Sequence, residues 1–154
     1  MEVIIRYSID PWEFWRIEQF NWNRASWSDF DITHFYGDLV FRCGEADFSY
    51  QDIPILGFAY YFTEGFLKCI HGHEVRVEYT VEADDFILMR PILGNSVWIE
   101  ASHLPCSCQV PEKSLREALA NANRCLVEEI SMRFPFLRHH EIFIEIVRLL
   151  TSVY

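Results

Sequence analysis

The stretch Asp52-Ile53-Pro54-Ile55-Leu56-Gly57-Phe58-Ala59-Tyr60-Tyr61-Phe62-Thr63-Glu64-Gly65-Phe66-Leu67-Lys68-Cys69-Ile70-His71-Gly72 decides the fold. Its apolar positions Ile55, Phe58, Ala59, Phe62, Phe66, Cys69 and Ile70 recur at spacings of three and four, which is one face of an α-helix. Asp52 is placed to cap that helix, Pro54 is tolerated in its first turn, and Gly72 stops it. Thr63, Glu64 and Gly65 interrupt the apolar run well short of the ~18 residues a membrane span needs, so a core helix is expected. Immediately afterwards the period falls from 3.6 to 2. Val75, Val77, Tyr79 and Val81 alternate with Glu74, Arg76, Glu78 and Thr80, which predicts a half-buried strand over 74–81.

Toward the N-terminus, residues 2–9 read as a strand with Val3, Ile5, Tyr7 and Ile9 on one face, ended by Pro11. Residues 12–27 carry Trp12, Trp15, Trp22 and Trp27 and read either as a short helix or as an aromatic-rich connection. Phe30, Ile32, His34 and Tyr36 alternate, Gly37-Asp38 suits a tight turn, and Leu39 and Phe41 continue, so residues 27–43 are predicted as a hairpin with Asp29, Asp31 and Thr33 on its outer side. Beyond the first helix, strands are expected over 86–93 and 96–101, with Glu82-Ala83-Asp84-Asp85 and Gly94-Asn95 as turns. Pro105 and Pro111 bracket a Cys-Ser-Cys connection. A long helix is predicted over 112–133 with Leu115, Ala118, Leu119, Ala122, Leu126 and Ile130 buried; Pro135 breaks it, and a last helix covers 138–150. Strands, one helix, strands, then two helices, without strict βαβ alternation, predict an α+β fold: a mostly antiparallel sheet with two or three helices packed on one face, residues 1–154 forming a single domain.

Composition bounds the function. Apolar residues at 51% against 23% charged place the chain far from disorder. The start, Met1 to Tyr7, has an acid at position 2 and no continuous apolar run, so no signal peptide is expected. Five cysteines, an odd number, in a chain large enough to hold a core without cross-links, point to free thiols and a cytoplasmic protein. The formal net charge of -10 disfavours nucleic acid and anionic membrane, both of which need clustered Lys and Arg, and suits a basic protein surface.

Chemistry-bearing residues gather at Cys69-Ile70-His71-Gly72-His73-Glu74, Cys106-Ser107-Cys108 and His139-His140-Glu141. Imidazole and thiolate are good zinc donors, yet no Cys-x-x-Cys or His-Glu-x-x-His spacing is present, so neither metal nor cofactor is expected. Cys69 near His71 and Cys108 near His103 are the closest thiol-base pairs, but catalytic partners usually meet only in the fold, so no catalytic residue is assigned. Gly-x-Ser-x-Gly, phosphate-loop and dinucleotide patterns are lacking.

Trp27-Ser28-Asp29-Phe30-Asp31-Ile32, Ile53 to Ala59 opening one helix, and Ser114-Leu115-Arg116-Glu117 opening another give a chain that resembles small bacterial immunity-type proteins over roughly residues 2–131, in size, charge and element order. That resemblance implies a non-catalytic protein that neutralises a cognate toxin by tight binding. The residues expected to meet a basic toxin are Trp22 and Trp27 as aromatic anchors and Asp29, Asp31, Glu82, Asp84 and Asp85 as steering charges. A small metal- or cysteine-dependent hydrolase is the alternative. A homo-oligomer joined through the Trp-rich segment is a third reading.

Overall fold

The computed structural model describes residues 1–80 and 84–154. Among these residues, two four-stranded antiparallel sheets and four α-helices make an α+β fold. In the first sheet, β1 (Val3–Ile9) pairs with β2 (Tyr36–Cys43) from Val3 opposite Cys43 to Ile9 opposite Gly37. The other edge of β2 takes β3 (Ala46–Asp47) and β4 (Tyr50–Pro54). The second sheet is a meander of β5 (Val75–Glu78), β6 (Phe86–Ile92), β7 (Ser96–Ala101) and β8 (Ser107–Pro111). Alternation places Leu39, Phe41 and Cys43 of the first sheet, and Val77, Ile87, Met89, Val97, Ile99, Cys108 and Val110 of the second, in one continuous core.

Helix α2 (Ile55–Ile70) touches both sheets. Ten of its 16 residues are buried, which is why its apolar run is so dense. Its approach is closest at two glycines. A Cβ at Gly57 would lie 2.0 Å from the Asp31 carbonyl oxygen, and one at Gly65 would lie 2.9 Å from Val77 Cγ2 and 3.0 Å from Val75 Cγ1. Helix α3 (Glu112–Arg133) packs on β1 and β8, burying Leu115, Leu119, Leu126 and Ile130, and α4 (Glu141–Leu150) adds Phe143, Ile146 and Leu150. The buried Asn123 of α3 joins the three helices by donating to Thr63 Oγ1 at 2.9 Å and to the Leu150 carbonyl at 3.0 Å.

Several expectations are corrected. Residues 27–43 are not a hairpin. Asp29–Thr33 form one wide helical turn, the chain reverses at Phe35 with φ 62°, and a single strand begins at Tyr36. Phe30 and His34 are four apart, a spacing that fits a strand face and a helical turn equally. An aromatic cluster decides for the turn: Trp22 packs on Phe30, His34 and Phe35 at 4.8–5.7 Å between ring centroids. Gly37 sits inside β2, where a Cβ would meet the Ser8 carbonyl oxygen at 1.8 Å. Asp52 does not cap α2; it belongs to β4, its N–H donates to Asp38 Oδ1 at 3.0 Å, and Pro54 immediately precedes the helix. The Cys-Ser-Cys segment enters β8, with Cys108 opposite Ile99. Residues 12–27 resolve into α1 (Pro11–Gln19), which opens on its proline, and a short turn over Trp22–Arg24. Val81, Glu82 and Ala83, expected to end a strand and open a turn, lie outside the described residues.

Two outcomes are expected. Gly57→Ala drives a methyl group into backbone and lowers the Tm by about 4–12 °C, the scale of about 2–3 kcal/mol of overpacking in a chain this size. Gly65→Ala meets only side-chain methyls that can shift and costs less than half as much, which thermal unfolding of the two variants measures side by side.

His34 is 5% exposed, neither ring nitrogen has a partner among the described residues, and burial lowers its pKa, with Arg16 adding to the effect and Asp29 opposing it. The unfolded chain, with an ordinary value of about 6.5, therefore takes up the proton first. Stability is complete above about pH 6.5 and is lost as the pH falls from there toward the lowered folded value. His34→Phe is expected to reduce the loss in Tm between about pH 7.5 and 5.5 relative to wild type; equal losses would assign the dependence to other groups.

Candidate functional site

A groove of about 440 Å³ lies where α2 passes the outer edge of β5. Its helical wall carries Gly57, Tyr61, Glu64 and Lys68, spaced four, three and four apart and so on one face of α2. Val75–Glu78 with Tyr79 form the strand wall, and Asp31 and Ile32 from the wide turn close one end. β5 is an edge strand whose one pairing among the described residues is with β6.

Asp31 is 7% exposed. Its Oδ2 accepts from the Tyr61 hydroxyl at 2.6 Å, and Tyr61 Oη in turn accepts from Trp27 Nε1 at 3.3 Å. Oδ1 of the same carboxylate is buried and has no donor among the described residues. Burial and the Asp31 carboxylate raise the Tyr61 pKa, so the phenol stays a proton donor. The wide turn that presents Asp31 is itself closed by Asp29, whose Oδ2 accepts from the Ser26 N–H at 2.8 Å.

Ile32 also borders a second hollow of about 400 Å³, shared with Trp12, Arg16, Tyr36 and Asp52. Beside it Asp10, Asp38 and Asp52 crowd together: partial burial raises the Asp10 pKa, and the charges of Asp38 and Asp52 raise it further. Trp12 and Trp15 on α1 are 54% and 67% exposed. The groove and the acidic, tryptophan-bearing hollow thus meet at Ile32 and form one continuous face.

The expected site residues are only partly brought together. Trp22 is a core residue, 6% exposed, whose Nε1 donates to the Ile17 carbonyl at 2.7 Å, so it cannot serve as a surface anchor. Trp27 is half-buried against Tyr60. Asp31 is buried rather than projecting from a hairpin, because the wide turn points it at Tyr61. Asp84 is exposed, Asp85 accepts from the Tyr50 hydroxyl at 2.6 Å and its carbonyl holds the Tyr79 N–H, and Glu82 lies outside the described residues. The Tyr61, Glu64 and Lys68 stripe was present in the spacing but not singled out, and the exposure of Trp12 and Trp15 could not be read because the phase of α1 was undetermined.

Cys43 and Cys108 come together in a shared hydrogen bond, while His71, His73 and His103 lie in separate settings. His71 and His73 are exposed after α2, with His71 Nδ1 on the Leu67 carbonyl, while His103 packs edge-on against Tyr50 and Tyr79. Burial, with Glu112 adding, pushes the Cys69 thiol up to about 11. Cys43 is raised by the hydrogen bond it shares with Cys108 and by burial. The Cys69 and Cys43 thiols are protonated at neutral pH, whereas the hydrogen bond from Cys43 lowers Cys108 against the opposing effect of burial. Among the described residues no group of three or more His, Cys, Asp or Glu is arranged to hold a metal ion. Nor is any helix there long and apolar enough to cross a membrane.

No family model, curated protein or solved structure matches this chain.

Tyr61→Phe leaves both oxygens of a buried carboxylate without a donor and is expected to cost about 1–3 kcal/mol in urea unfolding. Asp31→Asn in the same background removes the charge and recovers part of that loss. If Tyr61→Phe is neutral, the Tyr61–Asp31 bond contributes nothing to the fold.

Proposed function

We propose that this chain is a non-catalytic binding protein of the immunity type, which neutralises a basic protein toxin in the cytoplasm by occupying its surface. The observation that carries this reading is the grouping of Asp10, Asp38 and Asp52 beside exposed Trp12, whose Nε1 donates to Asp10 Oδ2 at 3.2 Å, on a helix that also exposes Trp15. Burial and the charges of Asp38 and Asp52 raise the Asp10 pKa, an unfavourable setting that a cationic partner relieves, and tryptophan supplies contact area at low entropic cost. Support also comes from the charge inventory. Most Lys and Arg side chains, among them Arg16, Arg42, Arg90, Arg116 and Arg133, already hold an acidic partner within the chain, so the net charge of -10 is acidic surface left over. The five free cysteines are in keeping with a reducing compartment. A cysteine or metal hydrolase gains no comparable support: Cys69 is held protonated by burial, and no group of three or more His, Cys, Asp or Glu among the described residues is arranged to hold a metal.

Steering charges act mainly on association and are screened by salt over a Debye length of ~8 Å at physiological ionic strength. Neutralising Asp10, Asp52 and Asp84 to asparagine together is expected to slow association with the product of the adjacent gene severalfold at low salt and little at high salt. Trp15→Ala shortens the lifetime of that complex instead. Surface-based kinetics at two salt concentrations separates the two effects. An unchanged association rate in the folded triple variant, or no complex with wild type at all, would overturn the reading.

A further inference from the structure

We propose that the groove between α2 and β5 receives an extended, basic segment of the partner, which adds to the second sheet as a strand alongside β5 and sets a Lys or Arg side chain near Asp31. This deepens the binding reading above and rests on it for the partner's basic character.

Backbone register fixes which groups of β5 face outward. In an antiparallel pair, residues alternate between those that exchange hydrogen bonds with the neighbour and those whose N–H and C=O point away. The Tyr79 N–H donates to the Asp85 carbonyl at 3.1 Å, which makes Tyr79 and Asp85 an exchanging pair. With Glu78 opposite Phe86 and Arg76 opposite Leu88, the backbone groups of Arg76 and Glu78 then point to the outer edge. Phe86 is consistent with this: its own N–H and carbonyl bond Ser102, on the side away from β5. An edge that offers such groups over an apolar floor is what strand addition uses, with the main chain giving affinity and alternate side chains giving specificity.

Charge decides the occupant. Around the groove Lys68 is paired with Glu64 at 3.5 Å, and Arg76 with Glu78 at 3.6 Å, so these four charges offset one another. What remains is Asp31, a buried carboxylate with one oxygen lacking a donor. A basic side chain in the groove supplies the missing charge complement. The same edge could in principle pair with that of a second copy, but each copy brings a net charge of -10, and the mutual repulsion works against that occupant.

The test uses full-length, isotopically labelled protein titrated with a capped octapeptide of alternating lysine and valine, with glutamate replacing lysine in a control peptide. Amide shifts are expected at Arg76, Glu78 and Tyr61 with the basic peptide and not with the acidic one, together with slowed amide exchange at Arg76 and Glu78. Glu78→Pro removes an outward N–H without touching the β5–β6 bonds and should abolish binding, whereas Glu78→Gln, which keeps the N–H, retains most of it. Asp31→Asn should weaken binding at least severalfold. Circular dichroism confirms that each variant is folded. Shifts confined to other residues, no shifts, or equal binding by Glu78→Pro would overturn the groove assignment, as would a wild-type dimer that Glu78→Pro dissociates. The adjacent gene product keeps the two readings apart: if it binds wild type and the Glu78→Pro variant equally, the binding function stands and the groove falls.

Discussion

The contact between Gly57 and the Asp31 carbonyl is the tightest constraint on how the layers assemble. With no side chain at position 57, α2 settles directly onto the wide turn of residues 29–33, and Gly65, two turns further along, settles onto Val75 and Val77 of β5. The helix is thereby fixed at both ends against different elements, and the second sheet is carried into place relative to the first. That seating leaves the Tyr61, Glu64 and Lys68 side of α2 facing the open edge of β5. A bulkier residue at either glycine would lift the helix and close or skew the groove.

Buried polar atoms without partners are unevenly distributed. Among the described residues they include Glu13 Oε2, Asp31 Oδ1, both ring nitrogens of His34 and the Tyr7 hydroxyl, all in the first quarter of the chain, with Asn123 Oδ1 the one further on. A buried polar group without a partner costs about 1–3 kcal/mol, so this region is less stable than its packing alone would make it. Phe35, a bulky residue at positive φ, adds strain at the same place. Locally unfavourable choices that persist in an otherwise consistent fold tend to mark function, and here they lie behind the face formed by α1, the wide turn and the groove.

The long helices were legible because sixteen or more residues repeat a period of 3.6 without a competing pattern: residues 55–70 and 112–133 are helical as their spacing predicts. The Gly94-Asn95 turn was also plain, both residues having positive φ. Where the sequence misled, two local signals coincided. Phe30 and His34 satisfy both periods, and the choice fell to Trp22, eight residues away from the first of them. Gly37 resembles a turn glycine but answers to the Ser8 backbone across the sheet. Asp52 resembles a cap yet spends its φ of 55° inside β4. Of the candidate site, the acidic excess and the polar stripe of α2 could be read from the chain; that β5 is an edge could not, because strand order depends on pairings distant in sequence.

The placement of α3 across β1 has a consequence for how the protein is made. Residues 3–9 leave the ribosome more than a hundred residues before α3, so β1 lacks that helix's cover while most of the chain is still being synthesised. At synthesis rates of ~5–20 residues per second the interval is roughly 5–20 s. The nascent chain thus presents an incompletely covered apolar strand for far longer than hairpins and helices take to form. Its vulnerable period is set by translation, and slowing the ribosome lengthens it.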